Sequence, residues 1–380
     1  MHLRNIISIG LLFASLVGSS GAWAEDCPQP SYSFTTQDRV DAFPKNCDSV
    51  LGDLTFASRT GITNIDALAN LTSVGGNLYI YDNDLLTNLD GLAKLTSVGD
   101  NLYIYTNAAL TNLDGLAKLT SVEGYLAIEN NDLLTNIDAL AKLTSVGGFL
   151  NIENNDLLTN LDGLAKLTSV GGNLYIALND LLTNIEGLAN LTSVGGYLEI
   201  YDNDLLTNLD GLAKLTSVGG FLYIGINASL TNIEGLANLT SVGSYLYIGN
   251  NDLLTNIGGL AKLTSVEGYL AIENNDLLTN LDGLANLTSV GGFLFIQVNI
   301  ALTNCQGIAP VLGWPSGPPA DSVVGDITIS RNATGCNSVD EILASYSPPA
   351  ATPVPVGSIW LLGMMAALLS LVAVNKLRKA

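Results

Sequence analysis

One string of 24 residues, Leu71 to Lys94 (LTSVGGNLYIYDNDLLTNLDGLAK), recurs along this chain without slippage. Its tetrad Leu-Thr-Ser-Val starts at Leu71, Leu95, Leu119, Leu143, Leu167, Leu191, Leu215, Leu239, Leu263 and Leu287. A fixed period of this size makes a solenoid, in which each unit is one coil and buries its apolar side only by stacking on its neighbours. A length of 380 residues would otherwise point to two or three globular domains. The repeat overrides that expectation, because a solenoid lengthens without a central core.

Comparing the copies column by column separates fixed positions from free ones. The columns headed by Leu78 and Ile80 are Leu and Ile in every copy. Side chains alternate along a strand, so residues 77–81 are expected as a strand with 78 and 80 inward and 77, 79 and 81 outward. A second apolar set follows at Leu86, Leu89, Leu92, Leu95 and Val98. Its spacing of three fits neither a strand nor a long α-helix, and predicts a coil that turns corners through short 3₁₀ pieces. Asp90-Gly91 and Lys94 are expected to supply an N-cap and an i,i+4 pair there.

Two polar columns never vary. Asn83 heads one that continues through Asn107, Asn131 and Asn155 to Asn299, and Asn88 heads the other, through Asn112 to Asn304. Asparagine carries both donor and acceptor, so stacked ladders would satisfy turn backbone that no sheet reaches. Asn70, Asn190, Asn238 and Asn286 also sit in Asn-Leu-Thr, a glycosylation triplet that falls out of the repeat itself.

The columns extend past the ten tetrads. Leu54, Phe56, Ile62, Ile65 and Leu68 form a first coil near Cys47. Ile327, Ile329, Asn332 and Asn337 form a last one, after a nine-residue insertion within the Gly/Pro-rich stretch 310–320. Twelve strands result. A solenoid end needs a cover, and the polar, loop-like segment from Cys27 to Cys47 is expected to be a cap pinned by a disulfide. A bridge between Cys305 and Cys336 would staple the other end.

Residues 1–24 combine Arg4, an apolar run from Ile6 to Val17 and Ala22-Trp23-Ala24. That is a secretory signal, and it places the chain in an oxidising compartment. At the other end a Pro-rich linker (346–356) leads to an uncharged apolar run from Gly357 to Val374, followed by Lys376, Arg378 and Lys379. Its length is the lower limit for a transmembrane helix, and the basic end would stay cytoplasmic.

Composition excludes several functions. Four of the 14 basic residues lie in these terminal segments, leaving 10 against 35 acids, which argues against nucleic acid. The only histidine is His2, so the exported chain lacks the commonest general base and metal ligand. The four cysteines are too few and too far apart for zinc. Asp82-Asn83-Asp84 and Asp202-Asn203-Asp204 are oxygen-rich turns, but no EF-hand pattern accompanies them. No metal or cofactor is expected. Glu129, Glu153 and Glu273 repeat along an open face without a unique cleft, so no enzyme is expected, a carbohydrate-active β-solenoid included.

The free columns are where a ligand would sit. Candidate ligand-binding residues are Tyr79, Tyr81, Tyr103, Tyr105, Tyr175, Glu199, Tyr201, Tyr223, Tyr247 and Phe295. Tyrosine offers a large face and a polar tip, which suits protein or glycan contact. The same rings could instead stack across strands and stiffen the sheet.

The pattern G-x-L-x-I-x-x-N followed by L-T-N-L-x-G-L-x-x-L-T-S-V resembles the leucine-rich repeat, in the variant of receptor L domains and related bacterial surface repeats. The resemblance covers roughly residues 47–345 and implies a mainly β fold, a right-handed parallel β solenoid of about 12 coils that binds protein or glycan on its strand face. The tail is similar to bacterial exosortase-type sorting signals of the PEP-CTERM group, although Val354-Pro355-Val356 lacks the usual glutamate. That resemblance implies cleavage and transfer to the cell surface or extracellular matrix; a plain membrane anchor is the other reading.

The expected organisation is a signal peptide (1–24), an N-terminal cap (25–46), a solenoid with C-terminal cap (47–345), a linker (346–356), and a transmembrane helix with basic tail (357–380). The expected function is an exported, surface-displayed repeat protein active in adhesion or biofilm matrix. The alternative is a scaffold whose partner is its own copies.

Overall fold

The structure is a computed structural model that describes residues 27–314 and 322–345. The expected signal peptide, linker and transmembrane helix lie outside the described residues. Among the described residues no helix is long and apolar enough to cross a membrane.

Each coil begins with a four-residue strand, such as Leu78–Tyr81 or Leu102–Tyr105. Alternation dictates its faces: Leu78 and Ile80 are fully buried, while Tyr79 and Tyr81 are half-buried on the outer side. Neighbouring strands pair in parallel with a register of one whole period, Leu78 opposite Leu102 and Ile80 opposite Ile104. Parallel pairing requires a crossover between strands, and the rest of the coil provides it. The other apolar columns close the core, with Leu86, Leu89, Leu92 and Leu95 all at 0% exposure.

The main sheet has thirteen strands, one more than the repeat columns predict. The extra strand is Tyr32–Phe34 of the N-terminal cap, which pairs with Leu54–Phe56. That segment is therefore not a loop. Its apolar positions stack Phe34 on Phe56 at 5.1 Å and set Phe43 edge-on to Tyr32 at 5.1 Å, covering the open end of the core. Cys27–Cys47 and Cys305–Cys336 are both bridged, one at each end of the array. At the far end, Ile327–Ser330 pairs with Leu294–Gln297, and the helix Val339–Ser345 buries Ile342.

The crossover holds a 3₁₀ turn, Asp90–Leu92 in the second coil, and then a two-residue strand, Ser97–Val98. These Ser-Val pairs build a second parallel sheet of eleven strands. The 3₁₀ corner is tight: a Cβ on Gly91 would collide with the carbonyl oxygen of Ile65 in the coil before.

The Asn83 column forms the expected ladder. Asn107 Oδ1 accepts both the backbone N–H of Asn83 at 3.3 Å and its Nδ2 at 3.0 Å, and Asn107 Nδ2 donates to Ile80 O at 2.9 Å. The chain of bonds runs on to Asn299 and Asn332, and Asn337 Oδ1 closes it on the Asn332 N–H. The ladder is reached through a left-handed residue at each strand exit, from Asp82 (φ 52°) to Val298 (φ 57°).

Two expectations for the corner are corrected. The Asn88 column is no ladder: Asn88 Oδ1 accepts the Asp90 N–H at 3.0 Å and Nδ2 donates to the adjacent Thr87 hydroxyl. Asp90 is thus the capped residue rather than the cap, because it is itself the first residue of the turn and Asn88 is the polar side chain just before it. Lys94 does not pair with Asp90 but donates to Asn70 Oδ1 at 2.7 Å, one coil back. Asn70, Asn190, Asn238 and Asn286 each donate to a backbone carbonyl of the preceding coil, which gives the Asn-Leu-Thr asparagines a structural part.

Candidate functional site

The outward columns bring all ten candidate residues to the same sheet face, each half-buried. They gather in two groups. Near the N-terminus Tyr79 stacks on Tyr103 at 5.2 Å and Tyr81 on Tyr105 at 4.8 Å, nearly parallel. Further along, Tyr223 stacks on Tyr247 at 4.6 Å, Tyr201 meets Tyr223 edge-on at 5.9 Å, and the Tyr175 and Tyr201 hydroxyls share a hydrogen bond. Phe295 stands apart, with its ring against Phe293 at 5.6 Å. The rings do stack across strands, as strand spacing dictates, and their outer edges still face solvent.

Between the two groups lie Glu129, Asn151 and Glu153, with Glu199 beyond Tyr175. Asn151 Nδ2 donates to Glu129 Oε1 at 2.8 Å and to Glu153 Oε2 at 3.2 Å. The two carboxylates stand side by side on adjacent strands, Glu153 opposite Glu129. Burial, with the Glu153 charge adding to it, raises the pKa of Glu129 against the lowering effect of the Asn151 bond. Burial and Glu153 likewise raise Glu199. Tyr175 is pushed up by burial, by its bond to Tyr201 and by Glu153. Tyr245 rises to about 12 through burial and the neighbouring Tyr269.

Beyond burial, these shifts come from neighbouring carboxylates and tyrosine hydroxyls. The columns headed by 77, 79 and 81 contain no Lys or Arg. Lys94, Lys118, Lys142, Lys166, Lys214 and Lys262 all sit exposed beyond the 3₁₀ corner, away from the strands. The face therefore presents aromatic rings and carboxylates without counter-charge, a field that attracts cationic or hydrogen-bonding partners. The Asp82-Asn83-Asp84 turn offers less oxygen than its sequence implies, because Asn83 is buried in the ladder and Asp82 pairs with Arg59 at 3.6 Å. Among the described residues no group of three or more His, Cys, Asp or Glu is placed to hold a metal.

Three features of the surface add to the sequence reading. First, the aromatic members of the outward column headed by Asn77 form their own ring ladder, Tyr197–Phe221–Tyr245–Tyr269, at 4.3–4.5 Å. A second piece, Tyr125–Phe149, stacks at 4.4 Å. Second, the ladder breaks at Asn173, where a cavity of about 170 Å³ opens among Phe149, Asn151, Glu153, Asn173, Tyr175 and Tyr197. The signal was present: Asn173 is the single asparagine in that column between Tyr125 and Phe293. Third, Leu85, Leu133, Leu157, Leu181, Leu205, Leu253 and Leu277 form an exposed stripe beyond the strand exit. Each is the first member of a Leu-Leu pair whose second member is core, so the pair reads as wholly buried.

Residues 46–114 match the receptor L domain family. Among solved structures the chain is similar to an internalin from Listeria monocytogenes, with 22% identity and a TM-score of 0.41 over 84% of this chain and 90% of that one. No curated protein matches. The stacked 24-residue coils and the receptor L domain match over the first of them make this a repeat protein of leucine-rich type, built as a parallel β solenoid.

Proposed function

We propose that this protein is exported, displayed at the cell surface, and binds an extracellular protein or glycan through its strand face without catalysing a reaction. The observation that carries this reading is the face itself: tyrosines and carboxylates on successive strands, with no basic side chain among them. Large half-buried rings with polar tips supply contact area at low entropic cost. The two disulfides fit an oxidising compartment. The apolar N-terminal segment and the apolar, base-ended tail supply the export and sorting signals, with exosortase-type processing releasing the solenoid from that tail to the surface or matrix.

Protein and glycan arrays probed with the full-length protein test the proposal. A ligand is expected whose binding weakens at least tenfold when Tyr175, Tyr201 and Tyr223 are changed to Ser together. No ligand on either array would sink it. Self-association is a second reading, favoured by the exposed leucine stripe, because contiguous apolar surface marks contact sites. Light scattering that shows concentration-dependent growth, abolished by Leu157→Asn and Leu181→Asn together, would select it.

A further inference from the structure

We propose that the cavity at the break in the ring ladder is a subsite for a single neutral sugar ring, a reading that rests on the strand face being a binding surface. The column headed by Asn77 explains how the cavity arises. Tyr197 N–H is accepted by Asn173 Oδ1 at 3.0 Å. Earlier asparagines in the column complete a chain by donating backwards, Asn77 to Asp53 at 2.9 Å and Asn101 to Asn77 at 2.8 Å. Behind Asn173 stands Phe149, which has no acceptor. The Asn173 Nδ2 is left without its ladder partner, in a residue only 8% exposed that lines the cavity.

A second polar atom there is also unmatched. Asn151 Oδ1 is buried with no hydrogen-bond partner. The amide cannot turn over to relieve this, because its Nδ2 is held by two carboxylates, which an oxygen would repel. Two asparagines of one cavity thus offer an unmatched donor and an unmatched acceptor. The buried Asn151 acceptor is costly while it stays unpaired, and the Asn173 donor is open to the cavity.

The remaining walls decide the ligand class. Phe149 and Tyr197 come from coils two apart, yet their ring centroids lie 6.3 Å apart with planes at 47°, so they lean across Asn173 and close one side. Glu153 and Tyr175 line the rest. A cation would suit Glu153 and the rings but meet the Asn173 donor. An anion would suit that donor but meet Glu153. A sugar hydroxyl both donates and accepts, so vicinal hydroxyls match both asparagines and the carboxylate together. The C–H face of a sugar ring carries positive hydrogens that the negative faces of aromatic rings attract. A volume of about 170 Å³ suits one ring, since pockets for larger molecules run to roughly 300–1,000 Å³.

Saturation-transfer NMR on the full-length protein tests this, with methyl glycosides of glucose, galactose, mannose and N-acetylglucosamine, and with acetyl-arginine amide as a cationic probe. At least one glycoside is expected to bind. Asn173→Tyr should weaken that binding at least tenfold, because it restores the ring ladder and fills the cavity. The column already holds Tyr at positions 197, 245 and 269, so this variant is expected to keep the melting temperature of the parent. Glu153→Gln, which keeps the shape, should weaken binding several-fold. Glycoside binding untouched by Asn173→Tyr, or binding of acetyl-arginine amide alone, would overturn the subsite. Array ligands retained by Asn173→Tyr would in that case leave the strand-face reading standing; arrays without any ligand would end both.

Discussion

The Asn83 and Asn88 columns are identical in the sequence and opposite in the structure. Both are asparagine in every copy. Asn83 and its equivalents are at 0% exposure and bond to one another from coil to coil. Asn88 and its equivalents are partly exposed and cap their own corner, with Asn304 also reaching Asp282 of the coil before. The difference comes from what surrounds the backbone. At the strand exit the left-handed turn leaves amide groups facing the core, where no water reaches, so the next coil must supply the partner. At the 3₁₀ corner one N–H lies near solvent and needs only a local cap. Invariance among copies therefore reports that a residue is needed, and burial reports for what.

The largest break in this comparison comes from paired substitutions in the same region. Asn179→Ala would strip Asn155 of its acceptor and Ile152 O of a donor, all buried. A loss of about 3 kcal/mol or more is expected, since each stranded buried group costs roughly 1–3 kcal/mol. Asn184→Ala removes a cap to Glu186 N–H and an exposed bond to the Thr183 hydroxyl, and about 1 kcal/mol should be lost. Urea unfolding of the two variants checks the ordering; equal losses would erase the distinction between the columns.

The corner has its own constraint, smaller than the ladder's. A Cβ at Gly187 would run into Leu161 O, so Gly187→Ala should cost about 2 kcal/mol by overpacking. The array holds Ala139 at the equivalent position, buried at 8% exposure in the same tight corner. Ala139→Gly should accordingly raise stability, read as a higher urea midpoint.

At the strand exit, Ile226 adopts φ 56° where Asn130, Asn154, Asn250 and Asn274 adopt the same conformation. A β-branched residue is strained there, whereas asparagine tolerates it. Ile226→Asn should stabilise by about 1 kcal/mol, seen as a rise in melting temperature. A fall would show that the Ile226 side chain makes contacts worth more than the strain.

The smallest effect concerns pH. Glu129 and Glu199 have folded pKa values above their ordinary 4.5, chiefly through burial. Between that value and the raised one the folded chain holds more protons than the unfolded chain. Stability then falls as pH rises through this window. Both groups are about half open to solvent, which screens the effect. The melting temperature should be about 1–2 °C higher near pH 5 than at pH 7, and Glu199→Gln should flatten the profile.

Much of the fold was legible because burial constrains it hard. Leu78, Ile80 and the period-three leucines must all be apolar, and their columns fix register as well as core. The twelve coils follow from the same letters. What stayed hidden lies where the pattern is too short or too local to read. Ser97–Val98 has two residues, too few for alternation to declare a strand. Tyr32–Phe34 is a strand only because Leu54–Phe56 offers it an edge. Leu85 looks like Leu86 until the turn geometry sends one out and one in. The site was half legible: the free columns located the face and its rings, but the cavity at Asn173 depends on a hydrogen-bond chain broken by Phe149, which no single column shows.

Hydroxyl-radical footprinting of the full-length protein bound to its array-identified partner tests the central claim most directly. Oxidation is expected to fall at the tyrosines of the strand face, Tyr175, Tyr201 and Tyr223 foremost, while Leu85, Leu133 and Leu277 of the leucine stripe keep their free-state reactivity. Protection of those leucines with unchanged tyrosine oxidation would contradict it.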